Sequence, residues 1–299
     1  MNGRRSSALK IFVAGATGVI GRLLLPILVK EGHEVFGMTH NKASKSIIQG
    51  MGATPVVVNV FDQDAVIAAF RKVRPEVVIH QLTSLRNYNL EDNARIRTVG
   101  TRNLVDASQA VGVRRMIAQS ISWAYEPGNY PATEEVSLDL KAPEPRKTTI
   151  DGVVALEKTV SEMKEYVILR YGMLYGPSTW YEQYGMVAEK VRNQEMKATH
   201  GIMSFLHVED AARATSAALE WPNGPVNIVD DEPVPGTVWL PVYASLIGAP
   251  EPNVQAGSIR GERGASNAKV RRDYGWEPIF PNWSDGFKGS LGSSNYIKK

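Results

Sequence analysis

The sequence predicts a doubly wound α/β fold, a parallel sheet with helices on both faces, followed by a smaller C-terminal substrate lobe. Apolar runs alternate with stretches of helical spacing, the connections between them are short, and a glycine-rich turn follows the first run. Parallel strands are continuous apolar runs that need helical crossovers. We expect a first domain over 1–172, to which 202–221 returns, and a second lobe over 173–299.

Each element follows from a local pattern. Asp62 is a candidate N-cap, and Gly32 and Gly112 are candidate C-caps, because these residue types satisfy free backbone groups at helix ends. Six apolar runs predict strands over 9–15, 33–40, 54–60, 75–83, 113–122 and 166–172. Helical spacing predicts helices over 19–32, 44–52, 62–73, 91–112 and 149–163.

Residues 123–148 interrupt the alternation. They contain four prolines and few periodic apolar positions, which predicts a long surface loop. A loop of this length inside a compact domain is usually functional.

Composition narrows the function classes. The chain has 299 residues with 43% hydrophobic side chains, enough for a sizeable core. A net charge of +3 gives no case for nucleic acid or an anionic membrane as a partner. No apolar run is long enough to span a bilayer, and the first ten residues have no apolar leader segment, so we expect a cytoplasmic protein. Cysteine is absent and the histidines have no ligand spacing, so no metal site is expected.

The glycine-rich turn predicts dinucleotide binding in a Rossmann domain. Its glycines permit a tight turn, the approach of a pyrophosphate and close packing of helix on strand. The helix that follows offers free N–H groups and a positive dipole end to phosphates. The residues expected to cradle the pyrophosphate are Gly15, Thr17, Gly18, Val19, Ile20 and Gly21.

The end of the second predicted strand favours NADP over NAD. An acidic residue there would bind the ribose hydroxyls of NAD. The sequence has His40, Asn41, Lys42 and Lys45 instead, and the lysines could meet a 2′-phosphate. The alternative is that they are solvated loop residues, with NAD as the cofactor.

Several segments together resemble the extended short-chain dehydrogenase/reductase family, the NAD-dependent epimerase/dehydratase group. They are GATGVIG at 15–21, VVIH at 77–80, GTRNLVDA at 100–107, LRYGMLYGP at 169–177, FLHVEDAARA at 205–214 and NAKVRRDYGWEP at 267–278. The resemblance implies a C-terminal lobe that closes over a small-molecule substrate. It also implies a homodimer, formed through helices at 91–111 and 149–163.

Further cofactor contacts are expected at the ends of later strands. Asn59 and Val60 should lie near the adenine, and Leu82 and Thr83 near the ribose and nicotinamide. Tyr171 and Met173 follow the strand whose end should meet the nicotinamide.

The family's proton-transfer machinery is missing. Members use a Ser or Thr, a Tyr with Lys four residues later, and a supporting Asn. These positions fall on Ile121, Thr149, Val153 and Arg97. A slip in alignment cannot restore the pair, because none of the eleven tyrosines has Lys four positions on.

Other polar side chains are candidates for catalysis. Ser120, Ser122 and Thr149 offer hydroxyls, although Thr149 also fits a helix cap. Arg97 could stabilise a developing oxyanion or pair with a carboxylate. Tyr125 could contact substrate or simply pack.

Aromatic residues follow the sixth strand. Trp180, Tyr181 and Tyr184 suit either a mobile lid over a planar substrate or core packing between lobes. His207 and Asp210 belong to a motif that we interpret as structural.

The sequence therefore predicts an atypical NAD(P)-dependent oxidoreductase that acts on a small organic metabolite or biosynthetic intermediate. The alternative is an NAD(P)-binding protein without redox activity, either a cofactor-sensing partner or a non-redox isomerase or cyclase.

Overall fold

The computed structural model describes residues 8–84 and 89–292, so most of the segment used to judge the leader lies outside the described residues. Strands and helices alternate through the first part of the chain as predicted. The elements in order are β1 Lys10–Ala14, α1 Val19–Lys30, β2 Glu34–Thr39, α2 Lys45–Gly50, β3 Thr54–Val57, α3 Gln63–Val73, β4 Val77–His80, α4 Leu90–Arg95, α5 Thr101–Val111 and β5 Arg115–Ile121.

The remainder is less regular and has shorter strands. Its elements are α6 Arg146–Val160, β6 Glu165–Tyr171, β7 Met173–Tyr175, α7 Met186–Arg192, β8 Ile202–Met203, β9 Phe205–His207, α8 Val208–Ala217, β10 Gly224–Ile228, β11 Val234–Pro235, α9 Gly236–Leu246, α10 Ala268–Tyr274 and α11 Trp283–Gly292.

A seven-stranded parallel sheet in the order β10-β6-β5-β4-β1-β2-β3 confirms the predicted fold class. The chain reverses direction across the sheet between β1 and β4, which pair with Val13 opposite Ile79. In open α/β sheets the ligand lies beyond the carboxyl ends of the strands at such a point. A ligand is therefore expected near the residues that follow β1 and β4.

The seventh strand, β10, was not predicted. Its segment begins with Gly224 and Pro225, residues that are typical of turns, and Gly224 has φ +125°. The residues that follow are nevertheless buried, and Val226 and Ile228 are fully inaccessible. Burial on both faces of the sheet outweighs the local turn preference here.

Two predicted helices have different bounds in the structure. The long helix at 91–112 is divided by a π-helical turn at Ile96–Gly100, within which Thr98 Oγ1 donates to the carbonyl of Ala94 at 2.9 Å. Helix α6 begins at Arg146 rather than at 149, and Thr148 in its first turn donates to the carboxylate of Glu144 at 2.9 Å. The interpretation of Thr149 as a helix cap is therefore wrong, because Thr149 lies inside the helix.

The chain divides into two compact units. Unit 1 comprises 1–119, 151–168 and 215–224, and unit 2 comprises 120–150, 169–214 and 225–299. In unit 1, the Phe12 and Phe70 rings pack at 4.6 Å between centroids. In unit 2, the core is aromatic, and Phe205 packs at 5.1 Å from Trp239.

Arg115 joins separate segments of unit 1. Its guanidinium bonds Glu165 Oε2 at 2.9 Å and donates to the carbonyl of Trp221 at 2.6 Å. A charged side chain that is only 8% exposed needs such partners. These bonds hold the segment after α8 and the start of β6 against β5.

His80, the last residue of β4, is a fully buried structural histidine. Its Nδ1 accepts from the backbone N–H of Leu82 at 3.2 Å, so Nε2 carries the hydrogen and donates to Thr101 Oγ1 at 3.0 Å. Burial, with the nearby Arg97 charge, lowers the pKa of His80 to about 4. The ring is therefore neutral at pH 7, and it ties the chain after β4 to α5.

The buried His80 predicts a loss of stability in mild acid. An unfolded histidine has a pKa of about 6.5 and the folded one about 4, so the unfolded state binds more protons between these values. The His80 contribution is complete above about pH 6.5 and falls as the pH drops, by on the order of 3 kcal/mol at pH 4. Urea titrations at both ends of this window should show a smaller pH-dependent loss in His80→Gln than in the wild type. Equal losses in the two proteins would contradict the assignment.

Candidate functional site

The glycine-rich turn joins β1 to α1 at the reversal point of the sheet. Gly18 is the N-cap residue of α1 with an extended backbone, and no side chain caps the helix. The Gly18 N–H donates to the carbonyl of Gly15 at 3.1 Å, which closes the turn. The N–H groups of the first helical turn thus remain available to an anion.

The three glycines have different physical roles. Gly15 has φ +98°, and a Cβ there would lie 2.6 Å from the backbone of Gln81. A Cβ on Gly21 would collide with the carbonyl oxygen of Gly15. Gly18 is exposed, and its Cβ would meet only the Gly15 carbonyl oxygen at 3.3 Å. The fold therefore requires glycine at positions 15 and 21. Glycine at position 18 leaves open space outside the turn, which a side chain would fill.

The remaining predicted residues of the turn differ in burial. Thr17 and Val19 are half-buried on either side of Gly18, and Ile20 is buried beneath. The Thr17 carbonyl accepts from Arg22 Nε at 2.9 Å. The outer face of the turn therefore exposes backbone atoms to solvent.

The end of β2 is basic and open. His40, Asn41, Lys42 and Lys45 are all exposed. Asn41 Oδ1 accepts from the N–H of Ala43 at 2.9 Å and so caps a short 3₁₀ turn at Lys42–Ser44. Asn41 thus has a local structural role, while the lysine ammonium groups face solvent.

The ends of β3 and β4 contain four predicted cofactor contacts. Asn59 is exposed, while Val60 is buried and its carbonyl accepts from Asn103 Nδ2 at 2.8 Å. Leu82 is half-buried and Thr83 is exposed. The backbone N–H of Leu82 donates to His80 Nδ1, which sets the position of Leu82. No sequence motif marks His80 for this role.

Arg97 is buried in unit 1, on the π-helical turn. Burial lowers its pKa to about 10, and the Glu157 carboxylate opposes that shift. A Cβ on Gly152 of α6 would lie 3.4 Å from Arg97 Cδ and 3.3 Å from Ala94 Cα. Of the two roles predicted for Arg97, this arrangement favours charge pairing with a carboxylate.

The family positions on α6 are buried and non-ionisable. Val153 is 1% exposed and Thr149 is 6% exposed. Neither side chain titrates near neutral pH. The helix therefore has no ionisable side chain at these two positions.

Tyr125 is enclosed in unit 2. Its hydroxyl donates to Asn227 Oδ1 at 2.6 Å and accepts from Arg170 Nη1 at 2.9 Å. It is 1% exposed, and burial raises its pKa to about 12. These contacts favour packing over the predicted catalytic role, because both partners of the hydroxyl are already protein groups.

A small pocket in unit 2 brings together two of the predicted residues. Ser122 lies just beyond β5, and Met173 begins β7. The pocket is small and partly open, and it is lined by Ser122, Trp123, Met173, Ile202, Met203, Ser204, Gly261 and Gly264. Its walls are mainly apolar and aromatic, which is typical of a site for a small organic molecule. Ser120 and Tyr171 are buried nearby in sequence but do not line it.

The aromatic group after β7 is divided between core and surface. Tyr181 is 3% exposed and packs edge-on against Phe205, so core packing is the better interpretation for this residue. Trp180 is half-buried and Tyr184 is 73% exposed. A lid role is thus restricted to Trp180 and Tyr184 and stays a prediction.

The structural interpretation of FLHVEDAARA agrees with the contacts. Both carboxylate oxygens of Asp210 accept backbone N–H groups, from Ile279 at 2.7 Å and from Phe280 at 2.9 Å. His207 packs on the Phe280 ring at 3.8 Å, and burial lowers its pKa to about 4. Both residues hold the 279–280 segment in place.

Sequence reasoning missed a charged cluster beside the pocket. Asp139 is 1% exposed and binds both Arg146 and Arg260. These residues are up to 121 positions apart in the chain and form no local motif. The one signal available was the unusual length of the 123–148 loop.

Within residues 8–84 and 89–292, no helix is long and apolar enough to cross a membrane. Within the same ranges, no group of three or more His, Asp or Glu side chains is arranged to hold a metal ion.

Comparison with known proteins agrees with this geometry. A Streptomyces relative, 3-diazoavenalumate denitrifying reductase, is 37% identical over 304 residues, covering 93% of this chain and 99% of the relative. Bordetella bronchiseptica WbmG, solved with NAD and UDP, has a TM-score of 0.77 at 19% identity, covering 96% of this chain and 94% of that one. UDP-glucose 4-epimerase of Thermotoga maritima, solved with UDP-glucose, has a TM-score of 0.74 at 20% identity, with 94% and 97% covered.

These relatives are enzymes, which disfavours the cofactor-sensing alternative. The chain is an enzyme with NAD(P)-dependent oxidoreductase or epimerase-like function, and its cofactor is a nicotinamide dinucleotide. Residues 11–229 match the NAD dependent epimerase/dehydratase family. The chain belongs to that family.

Proposed function

We propose that this enzyme is an NADPH-dependent reductase that removes a diazo group as dinitrogen from a small, conjugated organic acid. One observation carries the proposal: the phosphate-binding turn is intact, while α6 has Val153 and Thr149 where the family has its proton-transfer pair. The named activity of the Streptomyces relative supplies the substrate class.

The chemistry explains why the pair is dispensable. Hydride addition to a carbonyl creates an alkoxide, which requires a positioned acid. A diazonium group is already cationic, so hydride addition neutralises it and gives a neutral diazene. The carbon–nitrogen bond then breaks, its electron pair stays on the ring carbon and takes up the proton released from the diazene N–H, and dinitrogen leaves. No step leaves an oxyanion that the protein must protonate.

The overall reaction balances without another reactant. The diazonium compound and one reduced nicotinamide give the arene, dinitrogen and the oxidised nicotinamide. When bound, the cofactor supplies the hydride, and the protein supplies position and an environment that excludes water. A diazo group persists in water only when it is conjugated, so the substrate is planar near the reacting atoms. The apolar walls at Trp123, Met173 and Met203 suit such a molecule.

The cofactor contacts are proposed from position. The turn at 15–21 would hold the pyrophosphate on the α1 N–H groups. Lys42, with His40 and Lys45 beside it, would meet the 2′-phosphate of NADP, because all three are exposed at the end of β2. Asn59 and Thr83 are exposed at the ends of their strands and would contact adenine and ribose.

A homodimer also remains a proposal, through α5 and α6 as the resemblance implies. Val99, on the π-helical turn before α5, is a 43% exposed apolar side chain. Sedimentation velocity would show whether the chain pairs.

The proposed reaction predicts a fixed stoichiometry. With an isotopically labelled aryl diazonium acid as substrate, one labelled dinitrogen should be released for each NADPH oxidised, far faster than in the enzyme-free control. Mass spectrometry of the headspace and reduced-nicotinamide absorbance measure the two quantities. NADPH oxidation without dinitrogen release, or no oxidation at all, would reject this function.

Gly18→Val should remove cofactor binding while the fold survives. The side chain would fill the space outside the turn, where its Cβ meets only one protein atom at 3.3 Å. We expect at least a tenfold rise in the NADPH dissociation constant by calorimetry, with little change in Tm. Gly50→Val is the matched control, because a Cβ there meets nothing within 4 Å. Equal affinity in the two variants would show that the pyrophosphate lies elsewhere.

Lys42→Glu should alter cofactor preference. Reversing the charge at the end of β2 should cost NADPH binding about 1.4 kcal/mol or more. That cost corresponds to an affinity about tenfold or more weaker. NADH, which has no 2′-phosphate, should bind as before or better. Lys72→Glu, an exposed lysine on α3, controls for net charge. An unchanged ratio of NADPH to NADH affinity would contradict the assignment.

A further inference from the structure

The charged cluster at Asp139 lies within unit 2 and has two cations for one anion. Arg146 Nε bonds Asp139 Oδ2 at 2.9 Å. Arg260 bonds the same carboxylate twice, from Nε at 2.7 Å and from Nη2 at 2.6 Å. Hydrogen bonds from Arg260 hold the pKa of Asp139 below its usual range, so the carboxylate is ionised at neutral pH. The cluster therefore carries one surplus positive charge.

Each guanidinium keeps a terminal amino group with no hydrogen bond to the described part of the chain. Arg146 uses Nη2 for the carbonyl of Trp123 at 2.7 Å, which leaves Nη1. Arg260 likewise retains Nη1. The nearby Glu262 carboxylate accepts from the hydroxyl of Thr199 at 2.8 Å and from the N–H of Ile259.

The unused nitrogen of Arg146 lies at the wall of the pocket. Gly261 lines the pocket and has φ +104°, and a Cβ built on it would lie 2.6 Å from Arg146 Nη1. The guanidinium carbon of Arg146 is also 5.9 Å from the ring centre of Trp123, another lining residue. The guanidinium thus packs directly behind Gly261, and a side chain at 261 would displace it.

We infer that Arg146 and Arg260 form a carboxylate-binding subsite for the substrate, next to the apolar slot at Trp123, Met173 and Met203. A guanidinium presents N–H groups in a planar fork that matches a carboxylate. Arg146 has 12% of its side chain exposed and Arg260 37%, so a bound anion would be shielded from water and salt on the Arg146 side. Asp139 fixes both side chains before the ligand arrives, which reduces the ordering cost of binding.

The inference deepens the proposed function and rests on it for the identity of the substrate as a conjugated acid. It also explains specificity. The ester or amide of the same acid fits the slot equally well but leaves the surplus charge of the cluster without an anion. The subsite therefore selects the ionised acid from neutral compounds of the same shape.

A binding experiment tests the subsite without turnover. The probes are 4-hydroxycinnamate and its methyl ester, titrated calorimetrically into protein saturated with NADP⁺. We expect the acid to bind at least tenfold more tightly than the ester. Arg260→Gln should remove that preference and leave ester binding unchanged. Among the described residues its guanidinium hydrogen-bonds Asp139, which keeps Arg146 as a partner, so the fold should survive. Arg272→Gln, an exposed arginine paired with Asp273, should behave as the wild type.

The outcomes separate this inference from the proposed function. A selective loss of acid binding in Arg260→Gln supports the subsite even when no dinitrogen is released from a diazo compound. Equal binding of acid and ester by the wild type, no binding of the acid, or an Arg260→Gln variant that matches Arg272→Gln would each overturn it. Should Arg260→Gln melt early, Arg260→Lys keeps the charge without the fork and should show an intermediate preference.

Discussion

The close approach of the β1–α1 turn to the end of β4 is the constraint on which the rest of the site depends. A side chain at Gly15 would collide with the backbone of Gln81, and one at Gly21 with the carbonyl of Gly15. Because the backbones are this close, the free N–H groups of α1 and the residues after β4 meet at the reversal point of the sheet. The neutral His80 ring then holds Leu82 in place through its Nδ1. Glycines and a buried histidine thus fix the backbone geometry at this end of the sheet.

The Tyr and Lys pair that the family resemblance implies is missing, while the family's scaffold is retained. On α6, Val153 and Thr149 are buried side chains that do not titrate near neutral pH, and Gly152 admits Arg97 against the helix. The Glu157 carboxylate stabilises the charge of the buried Arg97. The proposed function accounts for these residues with a reaction whose substrate brings its own charge. The diazo chemistry named for the Streptomyces relative meets that condition.

The fold was largely predictable, because strand–helix alternation and the glycine turn are local signals. The sequence could not show where the helix at 91–112 changes to π geometry, since that depends on packing around Ile96–Gly100. It also missed β10, where Gly224 and Pro225 suggested a turn, although burial in the sheet decided the outcome.

The candidate site was only partly predictable for the same reason. Ser122 and Met173 do share a pocket, but Tyr125 and Tyr181 lie in cores that periodicity does not reveal. The Asp139 cluster joins positions 121 residues apart, and only the folded chain brings them together.

The central claim is that hydride transfer proceeds without an acid or base from the protein. The pH dependence of a single turnover tests it most directly, with NADPH and a diazonium acid that has no phenol group of its own. The account predicts a rate of dinitrogen release that is flat from roughly pH 6 to 9, because no protein group must be in one protonation state. A tenfold rise or fall within that range, with an apparent pKa that follows a protein side chain, would contradict it.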